Sequence, residues 1–65
     1  MKTKEDFKFL IGKTIEQSKQ FLEKPYFITI VENDGRSIYA SYEYCPHRIK
    51  VCVTNSIISR IDDVS

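Results

Sequence analysis

DGRSIYASYEYCPHRIKVC, residues 34–52, separates two possible sheet topologies for this chain. It opens on an Asp34-Gly35 turn signal, runs through small and aromatic residues, and closes on a strand. Within that strand Arg48 and Lys50 stand two apart, so both leave by one face of an extended chain. Ile49, Val51 and Val53 take the other face and read as core. A strand that is apolar on one side and basic on the other is placed to support something. The nearest candidate is the acidic, aromatic segment Ser41-Tyr42-Glu43-Tyr44. The expectation is an exposed loop, braced from below by Arg48 and Lys50.

Before this stretch, residues 26–32 (YFITIVE) are rich in β-branched and aromatic side chains and predict a strand. Asp34-Gly35 between two alternating segments signals a hairpin, with SIYASYEY as the returning strand. The competing reading is a long connection over residues 32–47 that lets the next strand run parallel to the first. A connection of that length without regular structure is uncommon in a compact domain, and usually functional where it occurs. Periodicity leans to the hairpin and leaves both readings open.

Upstream, residues 1–5 are charged and expected to fray. Phe7, Leu10 and Ile11 supply apolar anchors ahead of Gly12. Thr14 and Gln17 have the spacing of a capping box, and Ile15, Ser18, Phe21 and Leu22 share one arc of a helical wheel. The helix is predicted over 14–24, stopped by Pro25. Downstream, residues 48–53 are the second strand, 54–56 a turn and 57–61 a short last strand. Residues 62–65 are expected as a polar tail.

A chain of 65 residues makes one domain, residues 1–65, and buries only about 60% of its unfolded surface, which leaves no room for a deep cleft. A hydrophobic fraction of 42% with 29% charged residues suits a globular protein. Net charge is +1, which offers no footprint for nucleic acid or an anionic membrane, so neither is expected as a partner. The charged start MKTKEDFKFLIGK lacks the apolar run of a signal peptide. The chain is therefore expected in the cytoplasm, or secreted if a leader was removed. Cys45 and Cys52 are expected as free thiols: an extended run between them separates their Cα atoms by ~20 Å, against the ~7 Å a bridge allows.

No catalytic constellation stands out. His47 is the single histidine, follows a proline and is expected in solvent. With Cys45 it supplies too few ligands for zinc, and a Cys–His nucleophile needs a pocket and an oxyanion hole. Gly12 and Gly35 stand alone, so no phosphate loop is present. Stacking of nucleic-acid bases on Tyr39, Tyr42 and Tyr44 would need a basic groove. No enzyme, metal or cofactor is expected.

The remaining chemistry is recognition, and several short motifs carry a resemblance. Asp6-Phe7 followed by Leu10-Ile11-Gly12-Lys13-Thr14 is similar to an aromatic and then L-V-G-K-S before a helix. Ser41-Tyr42-Glu43-Tyr44 with Cys45-Pro46-His47-Arg48-Ile49-Lys50-Val51 resembles Thr-x-Asp/Glu-Tyr, three residues, then Arg-hydrophobic-x-hydrophobic. These patterns belong to the potato inhibitor I family of serine-protease inhibitors (the eglin c and barley chymotrypsin inhibitor family, with its short microbial relatives). Phe7 stands where that family has Trp, and Lys50 where it commonly has Arg.

The resemblance implies an α+β domain, one helix packed on a small mixed sheet with a long exposed protease-binding loop. Residues 36–44 would form the loop and the flanking strands would pair in parallel. Tyr42 would be the primary-specificity residue and Tyr42–Glu43 the reactive bond. Tyr39, Ala40 and Ser41 would line the non-prime subsites, and Glu43 and Tyr44 the prime side. Arg48 would brace the Glu43 carboxylate and Lys50 would brace Ser41, as exposed contacts contributing at most ~1 kcal/mol to stability. The implied partner is a chymotrypsin-like or subtilisin-like serine protease, bound by a monomer. The rival is a non-inhibitory interaction module on the same fold. Two further alternatives are an oligomer in which 36–44 pairs as a strand, and a partly buried hairpin face for the tyrosines.

Overall fold

Thr3 starts the first element by donating its backbone N–H to the Asp6 carboxylate at 2.8 Å. A 3₁₀ helix, Lys4–Leu10, follows in the computed structural model, which describes residues 2–38 and 43–65. Lys4 and Glu5, expected to fray, are thus ordered, because Asp6 satisfies an orphan donor and the helix is pinned from inside. Side chains three apart eclipse in a 3₁₀ helix, which puts Phe7 and Leu10 together in the core. Ile11, expected as a third anchor, lies at the surface.

Helix α1 spans Ile15–Lys19. The Thr14 hydroxyl accepts from the Gln17 N–H and the Gln17 side-chain oxygen accepts from the Thr14 N–H, both at 3.1 Å, as the capping-box spacing predicts. The helix stops well short of residue 24. Ile15 and Leu22 pack on the core and Ser18 is buried, but Phe21 is 57% exposed. Without a buried stripe a further turn has little to hold it, since short helices depend on packing more than on propensity.

Among the described residues four strands form one mixed sheet: β1 Phe27–Asn33, β2 Arg36–Ser37, β3 Arg48–Thr54 and β4 Ile57–Val64, in the order β2-β1-β3-β4. Both readings of the Asp34-Gly35 turn hold in part. Glu32 meets Ser37 and Asn33 meets Arg36 antiparallel, but this hairpin is only two residues long. The chain then returns to the middle of the sheet, where β3 runs parallel to β1 from Phe27 opposite Arg48 onward. β3 pairs antiparallel with β4 on its other side. The described residues thus form an α+β fold built on a mixed sheet.

Ile49, Val51 and Val53 from β3 meet Ile58 and Ile61 from β4 and Phe7 and Leu10 from the 3₁₀ helix, forming the core expected from the alternation. β4 outlasts its predicted end: Asp63 stands opposite Lys50 and Val64 opposite Ile49, so residues 62–64 are strand and not tail. Ladder bonds use main-chain groups, and polar side chains on the solvent face do not oppose them. Asp34 and Gly35, like Asn55 and Ser56, have the positive φ values of tight hairpin turns. The Asp34 carboxylate accepts the Asn55 N–H at 2.8 Å, tying the two turns together. Among the described residues no helix is long and apolar enough to cross a membrane.

Candidate functional site

The connection from β2 to β3 leaves one edge of the sheet and returns at its centre. Tyr39, Ala40, Ser41 and Tyr42 lie outside the described residues, and with them the Tyr42–Glu43 bond and the expected Lys50–Ser41 brace. The return leg is described. Glu43 is exposed, and Tyr44, at 69%, is the most exposed of the large apolar side chains among the described residues. Cys45, Pro46 and His47 are half-buried, and the Arg48 N–H closes a turn on the Cys45 carbonyl at 3.1 Å.

Arg48 is the centre of this region. It lies on the face opposite the core, yet its exposure is only 8%, so the expectation of an exposed contact is corrected. The return leg and the C-terminal residue close over it. Its Nη2 donates to the main-chain carbonyl of Glu43 at 2.9 Å, and its Nε donates to the carbonyl of Ser65 at 2.8 Å. The Ser65 N–H in turn donates to the Arg48 carbonyl at 3.0 Å. The expected Arg48–Glu43 contact is present, but on the backbone where the carboxylate was expected. A carbonyl contact fixes the path of the chain whatever the exposed Glu43 side chain does.

Two neighbours root the leg further. His47, expected in solvent, meets the Tyr26 ring edge-on with centroids 5.2 Å apart. Tyr26 lies 5.2 Å from Phe7, and the Lys2 ammonium sits 5.7 Å from both of those rings. The Phe27 N–H donates to the His47 carbonyl at 3.0 Å. The end of the connection is therefore held by main chain, by aromatic packing and by a buried guanidinium.

Lys50 is half-buried on the same face as Arg48, opposite Thr29 on β1 and Asp63 on β4. Beyond it the face is not basic. Cys52 is buried, and Arg60 donates from Nη2 to its sulfur at 3.1 Å while lying 3.6 Å from the Glu32 carboxylate. The Cys52 sulfur, and after it Glu32, hold the Arg60 guanidinium pKa above its ordinary value. Sequence reading missed this trio because it exists only in the register that sets Glu32, Cys52 and Arg60 side by side on three strands. Both cysteines are free, as the spacing suggested. Among the described residues no three His, Cys, Asp or Glu side chains are grouped to hold a metal ion.

This arrangement can fix one end of a long connection to the core while leaving Glu43 and Tyr44 outside. No family model matches the chain, and no curated protein or solved structure matches it.

Proposed function

We propose that this protein is a serine-protease inhibitor of the potato inhibitor I fold, binding substrate-like through residues 36–44, with Tyr42–Glu43 as the reactive bond. The observation that carries the reading is the buried Arg48 guanidinium on the Glu43 carbonyl at 2.9 Å. Glu43 supplies the amine that leaves when the bond is cut. An amine held to the core stays beside the acyl group and can religate, so cleavage does not become release. A loop held in its bound shape also loses little entropy on association, which lets an interface of moderate size bind tightly.

Tyr42 is the side chain that enters the enzyme's primary pocket, which fits the large apolar pockets of chymotrypsin-like and subtilisin-like enzymes. Tyr39, Ala40 and Ser41 contact the enzyme before the bond, and Glu43 and Tyr44 after it. The exposure of Tyr44 suits that use. Lys50 supports the loop beside Arg48.

Titration of chymotrypsin and subtilisin with the protein, followed by mass spectrometry of the mixture, tests the reading. Stoichiometric loss of activity with slow cleavage confined to Tyr42–Glu43 is the expected result. Absence of inhibition of either enzyme, or rapid cleavage at other bonds, sinks it.

A further inference from the structure

The two edges of β1 are used unequally. Along one edge β1 pairs with β3, and the Phe27 N–H donates to the His47 carbonyl. In a parallel pair alternate residues turn both main-chain groups to the same neighbour, so Phe27 and Thr29 face β3 while Ile28 and Ile30 face the other edge. Among the described residues that second edge is covered only at its far end. There β2 meets Glu32 and Asn33, and the Ile38 N–H donates to the Val31 carbonyl. No described strand lies beside Ile28 or Ile30. Natural edges are commonly guarded by proline, an inward charge or a bulge. Residues 27–30 (FITI) contain no proline or charge, and the irregularity of β1 comes only between Ile30 and Glu32.

A groove of about 440 Å³ runs beside this edge. Leu22, Tyr26, Phe27 and Ile28 provide apolar wall, and Lys19 and Lys24 are its cationic lining. Among the described residues neither lysine is in an ion pair. Main-chain groups that no described strand pairs, an apolar groove and two lysines outside any ion pair among the described residues thus converge on one place. A row of N–H and C=O groups selects an extended peptide, alternate side-chain pockets select its register, and the lysines select negative charge.

We propose that this edge is a docking site for an extended peptide that adds antiparallel to β1, on the side where β2 ends. Such a peptide lays an apolar side chain in the groove. Antiparallel addition brings its C-terminal end beside the start of β1, so its carboxylates belong at that end, against Lys24 and Lys19. The site uses neither Arg48 nor the residues assigned to protease binding.

The test is titration of the ¹⁵N-labelled full chain with the synthetic peptide acetyl-TVTVDE-amide. Controls are acetyl-TVTVKK-amide, the reversed order acetyl-EDVTVT-amide, and acetyl-TVTVDE-amide N-methylated at alternate residues. The expected result is a shift and slowed exchange of the Ile28 and Ile30 amides with the first peptide alone. Lys19→Glu and Lys24→Glu should each weaken that binding about fivefold, the scale of an exposed charge pair. Absence of binding overturns the proposal, as does equal binding of the lysine or N-methylated peptide. Protection of Ile28 and Ile30 in the unbound chain, constant or rising with protein concentration, also overturns it, since the chain itself or a second copy then occupies the edge.

Discussion

Arg48→Ala is the most informative single perturbation. The side chain is buried and donates to the carbonyls of Glu43 and Ser65. Hydrogen bonds to a charged group contribute roughly 1.5–3 kcal/mol each. Both carbonyls lie near the surface and recover water when the guanidinium is removed, so the lower end of that range applies. Lost packing of the aliphatic stem adds to it. The expected destabilisation is about 3–4 kcal/mol, and at roughly 4–8 °C per kcal/mol for a domain of this size the Tm falls by about 12–32 °C. Total stability for this length is on the order of 3–10 kcal/mol, so the variant should be assayed cold, where it remains folded. Arg48→Lys keeps the charge but lacks the fork that reaches two carbonyls, and should lose about half as much. The assays are thermal unfolding by circular dichroism and mass spectrometry during incubation with subtilisin. Cleavage at Tyr42–Glu43 should quicken in both variants, more in the alanine one, and inhibition should become transient. If Arg48→Ala melts within about 3 °C of the parent and is cut no faster, Arg48 neither holds the fold nor braces the loop.

Tyr42→Ala should weaken chymotrypsin inhibition by about 2–4 kcal/mol, the scale of an aromatic hot spot, and Tyr42→Lys should move inhibition toward trypsin. Unchanged inhibition constants for both variants would refute the assignment of the reactive bond. Ser18 is fully buried and its hydroxyl has no hydrogen-bond partner among the described residues, so Ser18→Ala should raise stability by about 1 kcal/mol in urea unfolding. Lower stability would mean that the hydroxyl is satisfied by a bound water. Ser56 has φ 66, a conformation that glycine adopts without strain, and Ser56→Gly should add about 0.5–1 kcal/mol by the same measurement. In hydrogen exchange the amides of residues 49–53 should be slow and those of 39–44 fast, whereas protection through 39–43 would establish a longer hairpin.

Local chemistry made part of this molecule legible in one dimension. The Thr14–Gln17 capping box forms as its spacing predicts, because both partners lie within a single turn. The alternation of Ile49, Val51 and Val53 predicted a buried strand face, and all three are in the core. The ends of elements were less legible. α1 stops at Lys19 because burial of Phe21 was required to extend it and the fold does not supply that burial. β4 runs on to Val64 because β3 offers main-chain partners to a segment whose side chains look like a tail.

Relations across the sheet, in contrast, come from tertiary contacts. The parallel return of β3 beside β1 is non-local, and an Asp-Gly turn encodes only its own two residues. Arg48 could be placed by alternation on the face opposite the core, but not recognised as buried. Its cover comes from Glu43, five positions earlier, and from Ser65, at the far end of the chain. The Glu32–Arg60–Cys52 trio likewise needs three strands in one register. Periodicity reports which side of its own element a residue takes, whereas burial on the outer face depends on which distant segment lies across it.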